Sequence, residues 1–356
     1  MRSRARTVLA LAAPLMLAAC ATMAPPQPPS LDLPKPPADL RASRKGDRVF
    51  LTWTNPTATT DRQTIRTLGP TGICRTLSRD MQECGAPVGK LPATKTNAPK
   101  QSALASFTDS VADLESSDSS AIATYAVEVP NTEGRSAGLS NRVRVPLIRT
   151  LPPPQNFQTQ VTKDGVVSSW TAEIPNAPSG VHYVFRILRS GADSKQTAVG
   201  EVAAADSSSY TFTDSQIEWE KTYDYFVEAV TVIPQAGKPN IQVEGDDTPV
   251  AKVFADDVFP PAMPTGLQAV FSGPGQQPFI DLVWAPVSDV DLAGYNVYRH
   301  TEGTAAAKIN SELVKTPAYR DANVQAGNRY YYSVSAVDLR GNESAQSDEA
   351  NESVPQ

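Results

Sequence analysis

Three short stretches that end in tryptophan recur along the chain at nearly equal intervals. They read VFLTW at 49–53, VVSSW at 166–170 and IDLVW at 280–284. The tryptophans lie 117 and 114 residues apart, which is the size of one small domain. Self-similarity at a fixed period is the signature of tandem units. The 356 residues are therefore best divided into three similar domains rather than one continuous core.

Two further landmarks follow each tryptophan and indicate β-strands. In one, an aromatic residue precedes an aspartate by two positions, in SFTDS (106–110), TFTDS (211–215) and AYRDA (318–322). The other alternates with the period of a half-buried strand, in ATYAVEVP (123–130), YDYFVEAV (223–230) and YYYSVSAV (330–337). Helical spacing is scarce. About seven short strands in about 100 residues predict a β-sandwich in each unit.

At these landmarks each unit resembles a fibronectin type III domain. That family has a tryptophan on the second strand, matched by Trp53, Trp170 and Trp284. It also has a tyrosine where the fifth strand turns into the sixth, matched by Tyr223 and Tyr330. The resemblance implies an all-β chain of three tandem immunoglobulin-like (fibronectin type III) β-sandwiches. It also implies that these five residues are structural and that the tyrosine hydroxyls bond to nearby backbone.

The first unit diverges from the other two. Ala123 stands where they have the corner tyrosine, and it follows the aspartate by fourteen residues instead of nine. Extra loop also surrounds 69–105, and loops on a rigid sandwich are where binding residues tend to lie. We therefore predict a divergent first domain with inserted loops at 36–147, a second domain at 151–254 and a third at 259–355.

The N-terminus has the pattern of a secretory signal. Arg2, Arg4 and Arg6 precede the apolar run TVLALAAPLMLAA at 7–19. A basic segment, a short apolar run and then small residues are typical of a signal peptide. A membrane-spanning helix needs roughly 20 apolar residues, so this run is too short to span a membrane by itself. We predict a signal peptide over 1–19.

The residues Leu17-Ala18-Ala19-Cys20 resemble the lipobox of bacterial lipoproteins. The resemblance implies acylation of Cys20, with palmitate among the acyl chains, and removal of the signal. One acyl chain binds a membrane marginally, whereas two or three hold firmly. The alternative is cleavage of an ordinary signal peptide nearby, which would leave Cys20 free or paired with another cysteine. Residues 20–35 would then be a lipidated N-terminus and proline-rich linker, since proline favours extended spacers.

The lipobox also bears on location. Ala21 follows the cysteine, and in Gram-negative families the absence of aspartate there resembles the outer-membrane pattern. We expect a lipid-anchored protein of a bacterial cell envelope, at the periplasmic or the surface face of the outer membrane.

The other two cysteines, Cys74 and Cys84, lie in the inserted loop of the first unit. Export would place them in an oxidising compartment, so we predict that they form a disulfide. A bridge that closes about eleven residues contributes roughly 2–3 kcal/mol.

Few residues form a pattern that is typical of a catalytic site. His182 and His300 fall in predicted strands, without a serine elbow or a nucleophile–base spacing around them. The net charge of −6 lacks the basic face that nucleic-acid binding needs. We predict a protein that is not an enzyme, has no cofactor and binds no nucleic acid.

Two pairs of acids are weak calcium candidates. Asp256 and Asp257 lie at a domain junction, and Asp289 and Asp291 precede a predicted third strand. Calcium needs six to eight oxygen ligands. We favour the alternative, in which strand-end acids cap turns and resist edge pairing, and predict no metal.

Surface aromatics offer one further candidate. Tyr295, Tyr298 and Trp219 could form a strip on which sugars stack. We favour the alternative that they cover the sheets and the lower core.

The expected function is non-enzymatic. The lipoprotein would present its modules for protein or glycan binding, or act as a structural part of an envelope assembly. Its partners would be the membrane, through Cys20, and an envelope protein or glycan. The alternatives are an accessory carbohydrate-binding component of a secreted polysaccharide-degrading system, or an adhesin.

Overall fold

The computed structural model describes residues 31–95 and 103–356, apart from 194, 206, 274 and 276. The predicted signal peptide and residues 20–30 of the predicted lipidated segment, Cys20 included, lie outside the described residues. The predicted all-β fold is confirmed, because strands form almost all of the regular structure. Within the described ranges one three-residue 3₁₀-helix, Ala112–Leu114, is the exception, and no helix there is long and apolar enough to cross a membrane.

The strands are numbered in chain order. The first nine are β1 (Arg41–Lys45), β2 (Arg48–Thr54), β3 (Thr67–Leu68), β4 (Thr71–Thr76), β5 (Gly89–Leu91), β6 (Thr94–Lys95), β7 (Leu104–Ser110), β8 (Ile122–Glu128) and β9 (Val143–Pro146). The next eight are β10 (Gln155–Thr162), β11 (Gly165–Thr171), β12 (His182–Ser190), β13 (Gln196–Ala203), β14 (Ser209–Asp214), β15 (Thr222–Ile233), β16 (Ile241–Asp247) and β17 (Ala251–Phe254). The last seven are β18 (Thr265–Phe271), β19 (Ile280–Ala285), β20 (Leu292–His300), β21 (Ala307–Lys308), β22 (Ala318–Asp321), β23 (Arg329–Asp338) and β24 (Ala350–Ser353).

The chain forms two compact units, and all the boundaries between them fall inside the predicted first domain. The first contains the described residues of 1–41, 51–107 and 124–143, and the second contains 42–50, 108–123 and 144–356. In the first unit β4 pairs antiparallel with β5 and with β8, and β3 pairs with β6. The three domain ranges expected from the sequence stay predictions.

The second unit contains two sandwiches of the same design. In each, a three-stranded sheet faces a larger one. The smaller sheets have the orders β10-β11-β14 and β18-β19-β22. The larger ones contain β13-β12-β15 with β17 beside β15, and β21-β20-β23-β24. We call these the second and third sandwiches.

Alternating burial along β11 and β19 shows where the cores of the second and third sandwiches lie. On β11, Val166, Ser168 and Trp170 are buried while the residue after each is more exposed, and β19 repeats this with Ile280, Leu282 and Trp284. Because side chains point to opposite faces with a period of two, each tryptophan stretch lines one inner face. Trp170 meets Phe185 edge-on with ring centroids 5.6 Å apart, and Trp284 meets Tyr295 in the same way at 5.2 Å.

The second sandwich departs from the third along β15. This long strand pairs with β17 near its start and with β16 near its end. The far side of β16 pairs in parallel with β1, where Lys45 lies opposite Glu244. Gly46 follows with φ +57°, and a Cβ there would lie 2.7 Å from the Asp246 carboxylate. Glycine therefore permits both the turn and the close approach.

Candidate functional sites

The predicted structural tryptophans and tyrosines lie in or beside the cores. Trp53, Trp170 and Trp284 are buried. The Tyr223 hydroxyl accepts the N–H of Glu218 at 2.9 Å. The Tyr330 hydroxyl accepts the N–H of Gln325, also at 2.9 Å. Each hydroxyl ties the turn before its strand to the sheet, which is a structural role rather than a binding role.

The repeated aspartates also have a structural role. In the second sandwich, the buried carboxylate of Asp214 lies 2.7 Å from Arg189 Nη1 and accepts the Tyr225 hydroxyl at 2.8 Å. In the third sandwich, Asp321 has the same two partners, Arg299 at 2.7 Å and Tyr332 at 2.9 Å. Burial is the main cause that raises the pKa of both tyrosines, and the adjacent carboxylates add to it. These groups satisfy one another and leave no reactive base.

The predicted disulfide is confirmed. Cys74 and Cys84 are joined, with Cα atoms 5.3 Å apart. The bridge packs with Met81 and Ala126 in a small apolar cluster of the first unit. The inserted loop is thus held against its sheet.

The calcium candidates are brought together only in part. Asp257 and Asp291 lie beside Asp338, with one carboxylate oxygen of each within 4.8 Å of the others. Asp289 instead accepts the N–H of Ala262 at 2.6 Å. Asp256 lies outside this cluster. The sequence did not suggest Asp338 as a member of this cluster, because it lies at the end of a strand far along the chain. The turn-forming residues that follow Asp338 could have indicated that its carboxylate lies at a strand end.

Turn hydrogen bonds account for much of this acidic cluster. The Asp338 carboxylate accepts the backbone N–H groups of Arg340 and Asn342, both at 2.8 Å. Burial, followed by the charges of Asp291 and Asp338, raises the pKa of Asp257. Three carboxylates provide fewer oxygens than calcium usually takes, so the geometry assigns no ion. The expectation that these acids hold no metal stays a prediction.

The outer face of the larger sheet in the third sandwich is polar and aromatic. Three cross-strand pairs follow one another along it: Asn296 opposite Ser335, Tyr298 opposite Ser333 and His300 opposite Tyr331. The imidazole of His300 stacks on the Tyr331 ring with centroids 4.9 Å apart and planes 14° apart. We call this face, with the loop residues bonded to it, the polar ladder.

Three residues that follow β23 complete the polar ladder. Glu343 Oε1 accepts hydrogen bonds from Asn296 Nδ2 at 3.0 Å, from the Tyr298 hydroxyl at 2.6 Å and from the Ser335 hydroxyl. Gln346 Oε1 accepts the Ser333 hydroxyl at 2.7 Å. Glu349 Oε1 lies 2.9 Å from His300 Nε2. Burial raises the pKa of Glu343, but the three donors outweigh it and hold the pKa below its usual value.

The aromatic strip considered from the sequence therefore has different members. Tyr295 is buried in the core, and Trp219 lies at the domain junction with its ring centroid 6.1 Å from that of Phe259. Only Tyr298 belongs to the polar ladder. Sequence reasoning missed Tyr331 and Glu343. The alternation along YYYSVSAV could have shown that Tyr331 faces outward, whereas nothing local linked it to His300.

No known family model matches this chain. Exoglucanase B of Cellulomonas fimi is 27% identical to it over 226 residues, which cover 61% of this chain and 18% of that protein. An amylopullulanase of Thermoanaerobacterium saccharolyticum is 41% identical over 92 residues, which cover 26% of this chain and 7% of the relative. The chain thus spans less than a fifth of the length of these curated relatives.

Two solved structures show similarity. A Fn3-like protein from Clostridium thermocellum is 34% identical and covers 28% of this chain and 97% of its own, with a TM-score of 0.24. The FN1-FN3 domains of chicken CNTN1 are 14% identical and cover 91% of this chain and 99% of their own, with a TM-score of 0.26.

Proposed function

We propose that this chain is a non-catalytic accessory component of a polysaccharide-degrading system, held at a bacterial membrane by lipid on Cys20. The observation that carries the proposal is its partial similarity to an exoglucanase and to amylopullulanases. The similarity covers only 18% and 7% of these relatives. A segment this small relative to a large enzyme fits an accessory module that works beside a catalytic domain.

The fold and the sequence pattern support this role. Rigid sandwiches with buried tryptophans are suitable for display, because their loops and outer faces can vary without disturbing the core. The lipobox at 17–20 would fix the sandwiches to a membrane, and the proline-rich residues after it would space them from the surface.

A growth experiment tests the function. A strain that lacks the chain should grow more slowly on polymeric glucan than the parent strain, and equally well on glucose. Equal growth of both strains on the polymer would count against the proposal. If crosslinking in cells captures only a structural envelope protein, the chain is an assembly component instead.

The anchor has its own test. Metabolic labelling with an alkyne fatty acid should mark the wild-type chain, and Cys20→Ser should abolish the label. An unlabelled wild-type chain would exclude the lipid anchor while leaving the accessory function open.

A further inference from the structure

The polar ladder reaches the solvent through Glu343, Gln346 and Glu349, while the sheet residues beneath them are buried or partly buried and already held in place. Glu343 is exposed, and its Oε1 receives three hydrogen bonds from the sheet. Among the described residues none donates to its Oε2. The carboxylate is therefore fixed in orientation while one oxygen faces the solvent as an acceptor. Groups fixed before a ligand arrives lose little side-chain entropy on binding.

Gln346 supplies the complementary group. Its amide oxygen is bonded to Ser333, and within the described part of the chain its amide nitrogen has no acceptor. The face thus offers a fixed acceptor at Glu343 and a donor at Gln346. A hydroxyl group can donate and accept at once, so a ligand with many hydroxyls can use both.

The same face also contains His300 and Tyr331, two stacked rings that are both partly exposed. The two rings lie nearly parallel, and Glu349 holds the imidazole from its edge. An aromatic ring presents a flat apolar surface beside polar groups. The apolar C–H face of a sugar ring can pack on such a surface while its hydroxyls remain free to bond.

Each of the two carboxylates of the ladder has a basic group near it, which favours an uncharged ligand. Glu349 is paired with His300, and the positive charge of Lys308 acts on Glu343. An anionic glycan would meet two carboxylates, and a basic peptide would find their charge partly neutralised. A neutral, hydroxyl-rich chain fits this balance.

We propose that the polar ladder of the third sandwich binds a neutral polysaccharide, with a sugar ring packed on Tyr331 and hydroxyls bonded to Glu343 and Gln346. This inference rests on the proposed accessory function and names the face that would hold the polymer. The second sandwich lacks such a face, because Leu188 and Phe226 occupy the positions of Tyr298 and Ser333.

The test measures retention of the detergent-solubilised full chain on neutral glucans. Affinity electrophoresis in starch, pullulan and a soluble cellulose derivative is compared with retention in an anionic pectate. Tyr331→Ala should weaken binding at least tenfold, because it removes the ring surface. Glu343→Gln should weaken it severalfold, since the amide loses the charged acceptor. Tyr331→Phe should bind like wild type.

The matched control is Arg320→Ala, on the outer face of the opposite sheet, where Arg320 pairs with Asp281. It should leave retention unchanged, and unfolding curves should show that every variant folds. If wild type binds neutral glucans and the ladder variants bind equally well, the inference is wrong while the accessory function stands. Retention only on pectate, or on no polymer, also overturns the inference, whereas the growth experiment judges the function separately.

Discussion

The second and third sandwiches share an interior but differ on the outer face of the larger sheet. Inside, each has one tryptophan, one corner tyrosine and one Arg–Asp–Tyr group in the same geometry. Outside, the cross-strand pair Arg186–Glu228 of the second sandwich corresponds to Asn296–Ser335 of the third. A repeated interior thus leaves the outer face of each sandwich free to differ.

Neighbouring strands explain the difference. Glu228 is buried and lies 3.1 Å from Lys45 of β1 and 3.2 Å from Arg186. Its burial, together with the charge of Glu244, raises its pKa. At the matching position of the third sandwich, Ser335 bonds instead to Glu343. One face has become an ion-paired contact within the second unit, and the other presents the polar ladder.

The largest expected effect tests the shared interior. Trp170→Ala and Trp284→Ala should each lower the free energy of unfolding of their own sandwich by about 3–5 kcal/mol, because each leaves a large cavity. Urea unfolding followed by far-ultraviolet circular dichroism measures the change. Two very different losses would show that the interiors are not equivalent.

An intermediate effect should separate the two outer faces. Glu228→Ala should cost about 2 kcal/mol, because it removes the charge-assisted hydrogen bonds from Lys45 and Arg186 while both cations keep other carboxylate partners. Ser335→Ala at the corresponding position should cost about 1 kcal/mol, because it removes one hydrogen bond to the carboxylate of Glu343, which stays exposed to solvent. Chemical denaturation of both variants gives the two losses in the free energy of unfolding. Equal losses would contradict the difference between the two outer faces.

The smallest effect concerns pH at the ladder. The hydrogen bond to Glu349 is the main cause that raises the pKa of His300, followed by that to the Thr301 carbonyl. A raised folded pKa stabilises the protein below the ordinary histidine value of about 6.5, and this contribution disappears as pH rises through the folded pKa. NMR titration should show a lower His300 pKa in Glu349→Gln. An unchanged titration midpoint would show that Glu349 does not raise the pKa of His300.

Much of the fold followed from the sequence, whereas less of the candidate site did. The period-two alternation places Trp284 and Tyr295 in one core. The same rule shows that Tyr295 cannot lie on the surface beside Tyr298, since the two are an odd number of residues apart. Tyr331, Glu343 and Gln346 escaped because they join Tyr298 and His300 only when β23 and its following loop lie beside β20. Local patterns carry no information about such pairings.

The all-β class, the repeated core tryptophans and the pairing of Cys74 with Cys84 could be predicted from the sequence. These depend on short-range alternation, composition and cysteine count, all of which can be read along one strand or loop. The addition of β1 to β16, the approach of Asp338 to Asp257 and Asp291, and the convergence of nine polar and aromatic residues on one face follow from the folded chain alone. Those neighbours come from distant parts of the chain, and the register of paired strands alone brings them together.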